Sequence, residues 1–194
     1  MKIKRLKRME LWGVPITFLI WYALHRTNSL ESDHLINLLF GSVNKSSWEM
    51  VKTLLLACAF WSVIELFCAR PYFKAFVSTK TFSLYITGIV YCCIMTVFRI
   101  NSAELGMLFE STAIIIASAL FHILSFLIFT RFENLSGFYM PCVFLLLLFA
   151  VIYVCFTPFP PQNPLFYDYE NGFYGIISPY ADCGAYVLDR LYGI

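Results

Sequence analysis

Leu105–Thr130 reads LGMLFESTAIIIASALFHILSFLIFT, 26 residues interrupted by one carboxylate, Glu110, and one imidazole, His122. A helix of that length rises about 39 Å, enough to cross a hydrocarbon core of about 30 Å. Barrel strands alternate apolar and polar residues over about 10 positions, and this stretch does not alternate. It reads as a membrane-spanning helix, and four further apolar stretches set the same pattern along the chain. The expected spans are approximately 9–25, 48–69, 78–98, 105–130 and 137–156. The fold class is therefore an all-α membrane protein, with residues 1–156 as a five-helix transmembrane domain.

Composition agrees. Of 194 residues 60% are hydrophobic and 13% charged, with a mean hydropathy of +0.72, against about 25% charged in soluble domains. So much apolar surface needs lipid as its solvent, making the bilayer the first expected partner. A net charge of +2 is too small to suggest nucleic acid. Six of the seven cysteines lie in apolar runs and only Cys183 in an aqueous segment, so no disulfide framework is expected.

The first apolar run, Leu11–Leu24, follows a basic head of Lys2, Lys4, Arg5, Lys7 and Arg8. This resembles a signal peptide, but no small-residue cleavage site follows, and Arg8 and Arg26 can snorkel to extend a short span. Pro15 is expected to kink it. Thr27–Ser47 holds a short amphipathic piece, His34–Phe40, and then a capped helix start in which Ser46 or Ser47 precedes Glu49. Beyond Phe156 four prolines exclude a helix. Residues 157–194 form a tail whose aromatic rings argue for packing on the bundle rather than for disorder.

Lys and Arg in the connections set the orientation. The head, the second-to-third connection (Arg70, Lys74, Lys80) and Arg131 give nine on one side. Arg26, Lys45, Arg99 and Arg190 give four on the other. The expected topology is a multi-pass cell-membrane protein with a cytoplasmic N-terminus and an extracytoplasmic tail.

That topology brings Asn44, Ser46, Glu49 and Lys52 at the entrance of the second span to the same side as Glu110, Asp168 and Tyr174. Glu49 and Lys52 are i,i+3 neighbours able to pair. Asn44, Glu49, Lys52, Glu110, Asp168 and Tyr174 are the substrate-binding candidates, in a polar pocket under the tail. Against this stands helix capping and interfacial anchoring by Trp48 and the tail aromatics. Ionisable groups within spans cost about 2.5–3.5 kcal/mol or more each at mid-bilayer. Glu65 is expected near the inner surface, neutralised by Arg70. His122 shares one helical face with Ser111, Ser118 and Ser125, a stripe that serves either interhelical hydrogen bonding or a proton or substrate path. Tyr85, Thr87, Tyr91 and Thr96 are expected to line the same route. Histidines 25, 34 and 122 lack metal-ligand spacing. No GxSxG or phosphate-binding glycine loop occurs, so neither metal nor cofactor is expected.

Two segments carry a family resemblance. Val43-Asn44-Lys45-Ser46-Ser47-Trp48-Glu49-Met50-Val51-Lys52 resembles the motif V-N-E-S-x-W-E-H-x-K. Pro161–Ile176 resembles the tail P-x-x-P-L-F-x-D-x-x-x-G-x-Y-G-I. Both are similar to an uncharacterised family of bacterial integral membrane proteins, met mostly in Gram-positive organisms. This chain departs at Lys45, where the family has Glu, and at Met50, where it has His. The resemblance implies topology and no activity. Three functions stay open: a small-solute binding or transport subunit with its site on the outer face, a membrane-embedded enzyme using Glu49, Asp168 or Glu110 on lipid or peptide, and an assembly scaffold. Another membrane subunit or a second copy are the partners these would require.

Overall fold

The computed structural model describes residues 2–26, 40–101, 106–132, 134–157, 159–170 and 172–175. Five long helices dominate: α1 (Lys2–Arg26), α2 (Ser47–Ala69), α3 (Phe73–Asn101), α4 (Met107–Arg131) and α5 (Tyr139–Cys155), the last led by a 3-10 turn at Leu135–Phe138. The segments Ser47–Ala69, Phe73–Arg99, Leu108–Arg131 and Leu135–Cys155 are long and apolar enough to cross a membrane. α1 is longer than its apolar run because the basic head continues the helix from Lys2. The expected amphipathic piece His34–Phe40 lies outside the described residues apart from Phe40.

α1, α2, α3 and α4 pack in a ring, each against the next and α4 back against α1, while α5 lies outside against α3. Short connections explain part of this. α2 ends at Arg70, whose left-handed backbone (φ 49°) returns its N–H to Leu66 O at 3.1 Å. Pro71 then stops the helix, and α3 begins at Phe73. Such a tight turn forces α2 and α3 into antiparallel contact. The expected second-to-third loop is thus much shorter than the sequence suggested, and Lys74 and Lys80 belong to α3.

The buried faces follow helical periodicity, but not by apolarity. On α1 the buried residues are Leu6, Glu10, Gly13, Thr17 and Trp21, one stripe at 3.6-residue spacing. On α3, Phe76, Lys80, Ser83, Thr87, Tyr91, Met95 and Arg99 make the equivalent stripe. Leu, Ile, Phe and Val side chains such as Leu11, Leu19, Phe67, Ile116 and Phe144 point outward. In lipid nothing drives apolar groups inward, so small and polar residues occupy the helix interfaces. An apolar core built from Met50, Leu54, Met95, Ile114 and Phe121, among others, fills the middle of the ring.

The described tail folds back on one end. Tyr167–Asp168 pairs antiparallel with Phe173–Tyr174, Tyr167 opposite Tyr174. Gly172 (φ 78°) supplies the turn, its N–H reaching Asp168 O at 2.8 Å. This hairpin marks the tail end of the molecule. The opposite end, with the α1 head and Arg70, is called the basic end below.

Candidate functional site: a buried ionisable cluster

Four ring helices each contribute an ionisable side chain to one point inside the bundle. Glu10 of α1 accepts from Lys80 Nζ of α3 at 2.9 Å and from Ser125 Oγ of α4 at 2.6 Å; its other oxygen lies 2.7 Å from His122 Nδ1 of α4. Glu65 Oε2 of α2 lies 2.5 Å from the same Lys80 ammonium. These four ionisable side chains are at most 8% exposed. Helical rise places them about 6–14 Å in from the basic end. The Lys80 ammonium sits between the rings of Phe76 and Phe121, at 5.3 and 5.1 Å from their centroids.

Local sequence permits this close approach. A Cβ on Gly13 would stand 2.6 Å from both His122 Nε2 and Trp61 Nε1, so only glycine lets α1 come this near to α2 and α4. One turn further towards the tail end, the Thr17 and Ser118 hydroxyls bond each other, and Thr17 also donates to Gly13 O at 2.7 Å. His122 Nε2, Trp61 Nε1 and both Glu65 oxygens complete no hydrogen bond of regular geometry, despite the nearby Lys80.

The cluster corrects several expectations. Glu65 is paired with Lys80, not Arg70, because Arg70 lies beyond the helix end at the left-handed cap whereas Lys80 faces inward one helix away. Lys80 itself is not a loop cation. Of the His122 stripe, Ser118 and Ser125 join the polar network, while Ser111 is only half-buried. Tyr85 does not share this route: its hydroxyl donates to Leu145 O of α5 at 2.7 Å, on the other side of α3. Thr87 and Tyr91 instead line an apolar groove of about 280 Å³ between α3 and α4. Glu10 escaped the sequence reading because it sits in the basic head's shadow; its place in the 6-10-13-17-21 stripe was the available signal.

At the tail end the substrate-binding candidates meet one another. Ser46 caps α2 through Glu49 N. Glu49 pairs with Lys52 at 2.6 Å and accepts Val43 N–H at 3.1 Å. Lys52 donates to Thr157 Oγ1 at 3.0 Å and lies over the Tyr153 ring. Asn44 Nδ2 holds Gly175 O at 2.7 Å, and Asp168 accepts the N–H groups of Lys45 and Glu170, both at 3.0 Å. Trp48 N–H reaches Leu165 O at 3.1 Å, and its ring packs on Phe156 and Phe166. The half-exposed Lys45 pairs with Glu170 at 2.5 Å, and that hydrogen bond raises its pKa above the usual lysine range. Glu110 is not part of this network: it pairs with the fully buried Arg99 at 2.5 Å. Tyr174 packs against Tyr167 with the rings tilted by 56° and is 40% exposed. A cavity of about 330 Å³ between α2, α3 and α5 is lined by Trp48 and Leu165 but by none of the six candidates.

The two quoted motifs therefore lock onto each other. The family matches residues 1–176. This chain belongs to DUF6512, a family of unknown function. Comparison with curated proteins and with solved structures finds no match. DUF6512 membership together with the apolar helices makes this a membrane protein of an uncharacterised family. Among the described residues no three His, Cys, Asp or Glu side chains gather as metal ligands; Lys80 stands beside both carboxylates of the DUF6512 chain's buried cluster.

Proposed function

We propose that this protein is a proton-handling binding or transport subunit for a small solute, with five spans in the cell membrane, the N-terminus in the cytoplasm and the tail outside. The carrying observation is the charge count of the buried cluster. Glu10 and Glu65 bring two carboxylates, Lys80 one ammonium and His122 one imidazole. In a low-dielectric interior an uncompensated charge costs several kcal/mol. Neutrality then requires one further proton, on His122 or shared between the carboxyls, and such coupled groups titrate as a unit. Intramembrane ionisable groups facing a bundle interior are the usual parts of proton relays.

The orientation draws support from the structure's effect on the charge count. With Lys80 and Arg99 buried, eight basic residues remain at the basic end against Arg26 and Lys45 among the described residues. An enzyme using Glu49, Asp168 or Glu110 is disfavoured, because each of those carboxylates is already engaged by an ammonium, a guanidinium or backbone N–H groups.

Potentiometric titration of the purified protein in mild detergent tests the reading. The wild type should bind about one proton more than Glu10→Gln between about pH 5 and 8, and His122→Gln, which leaves two carboxylates on one ammonium, should keep that uptake at a shifted pH. Glu65→Gln should alter this uptake and Glu110→Gln should not, whereas a Glu65–Arg70 pair would leave the uptake unchanged in Glu65→Gln. A titration curve for Glu10→Gln that superimposes on the wild type would remove the proton from the mechanism.

A further inference from the structure

A cavity of about 520 Å³ opens at the basic end, lined by Ile3, Leu6, Pro71, Tyr72, Lys74 and Phe129, with Phe73 at its edge. Directly inside it lies a small apolar layer of Leu6, Ala69 and Phe76, packed by Met9, Leu66 and Phe129. Every helix of the ring places one residue of this layer a single turn from its cluster residue. Leu6 precedes Glu10 by four, Ala69 follows Glu65 by four, Phe76 precedes Lys80 by four and Phe129 follows Ser125 by four. Residues four apart stack on one helix face. The layer is therefore one side chain thick, with the cavity on one side and the charged cluster on the other, and Leu6 and Phe129 belong to both the layer and the cavity wall.

The other direction is closed differently. Beyond the Thr17–Ser118 hydroxyl pair, Trp21, Met50, Leu54, Ile114 and neighbours fill the middle of the ring, and the next buried charges are the Glu49–Lys52 and Arg99–Glu110 pairs of the tail end. A proton leaving the cluster towards the tail end meets several turns of apolar packing; towards the basic end it meets one layer.

We infer that the basic-end cavity is the vestibule through which the cluster takes up and returns its proton, with Leu6 and Phe76 as the gate. This rests on the proton-holding reading above. The groups facing the exchanging proton are Glu10 on α1, Glu65 on α2, Lys80 on α3 and His122 on α4, with the buried Cys58 thiol beside them on α2. Lys74 is the charged residue in the vestibule wall. Its ammonium and the exposed head favour hydroxide and buffer anions there, which can collect a proton passed outward. Phe76 has a second part, because the Lys80 ammonium rests on its ring. Opening the layer would expose that ammonium to water and loosen its hold on Glu10 and Glu65, so gate and proton affinity are linked.

The test is an acid jump applied to one face of oriented proteoliposomes, read by the infrared carboxyl band that Glu10→Gln removes. In the wild type the band should respond to a jump on the basic-end face and ignore a jump on the tail-end face while the gradient lasts. Leu6→Ala should speed the basic-face response by about tenfold, the scale of one local barrier lowered by a single truncated contact. Leu6→Val serves as a milder variant if Leu6→Ala does not fold, and should give a smaller increase in the same direction. A response to the tail-end jump at an equal rate, or an unchanged basic-face rate in the Leu6 variants and in Phe76→Ala, would overturn the vestibule while leaving the proton-holding cluster intact. A band that titrates in no variant, together with superimposed titration curves for the wild type and Glu10→Gln, would overturn both.

Discussion

Both ends of this bundle bury ion pairs, but they balance their charges in different ways. At the tail end no cation is shared: Glu49 has Lys52 and Glu110 has Arg99, while the buried Asp168 is held by the N–H groups of Lys45 and Glu170. The surrounding hydrogen bonds tie the start of α2 to the tail. At the basic end two carboxylates share one ammonium, and an imidazole completes the set. The first arrangement suits a clasp. The second stores a proton, and its position behind a single apolar layer gives that proton somewhere to go. Burial alone does not separate the two, since Lys52 and Glu65 are equally hidden; stoichiometry does.

The sharpest way to break this comparison is to remove one cation from each end. Lys80→Met should cost about 3–5 kcal/mol, because it strands buried carboxylates, and Lys52→Met should cost a similar amount by stranding Glu49. The ends should then part company on rescue. Adding Glu49→Gln to Lys52→Met should restore most of the stability, whereas adding Glu65→Gln to Lys80→Met should restore less, because Glu10 still lacks its ammonium. Denaturation in detergent measures all four. Equal rescue at both ends would mean the two sites are the same kind of ion pair.

A second, smaller effect belongs to the clasp. Phe166 is buried between Trp48 and Phe156, and Phe166→Ala should cost about 3 kcal/mol of tail docking. Protease added from the tail side should then cut within Leu165–Tyr174 much faster than in the wild type, with proton uptake by the cluster unchanged. Rapid cleavage in the wild type itself would show that the tail is not docked.

The smallest effect is expected at the exposed Lys45–Glu170 pair. Glu170 raises the Lys45 pKa above its ordinary 10.5, so the pair's contribution is fully present below that value. It is lost only as pH rises through the raised value. Stability of the tail should be flat across neutral pH and decline only in strong alkali, and Lys45→Ala should cost no more than about 1 kcal/mol. A tail that loosens near neutral pH would place another titrating group in the clasp.

Much of the helical framework was legible from composition and run length alone. Helix existence, the Ser46 cap and the Glu49–Lys52 pair depend on residues within one or two turns of each other, where spacing fixes geometry. The docking of Asp168 against the entrance of α2 was approachable too, because rings and prolines in a short tail leave few ways to bury them. Hydropathy failed at the helix interiors. It placed Lys80 and Arg99 in the connections between spans, since a window average marks a charge as an interruption and cannot tell whether that charge faces lipid, water or another helix.

What the sequence determined by itself is therefore that this chain makes long apolar helices with polar stripes, for the bilayer rewards apolar residues wherever they point outward. Only the tertiary structure decided which stripes meet. Glu10 and His122 are 112 residues apart, and their contact depends on a glycine at 13, a tight turn at Arg70 and the closure of α4 onto α1. No local preference encodes that meeting, because a buried charge selects its partner by helix packing, through a desolvation cost that exists only once the bundle has formed.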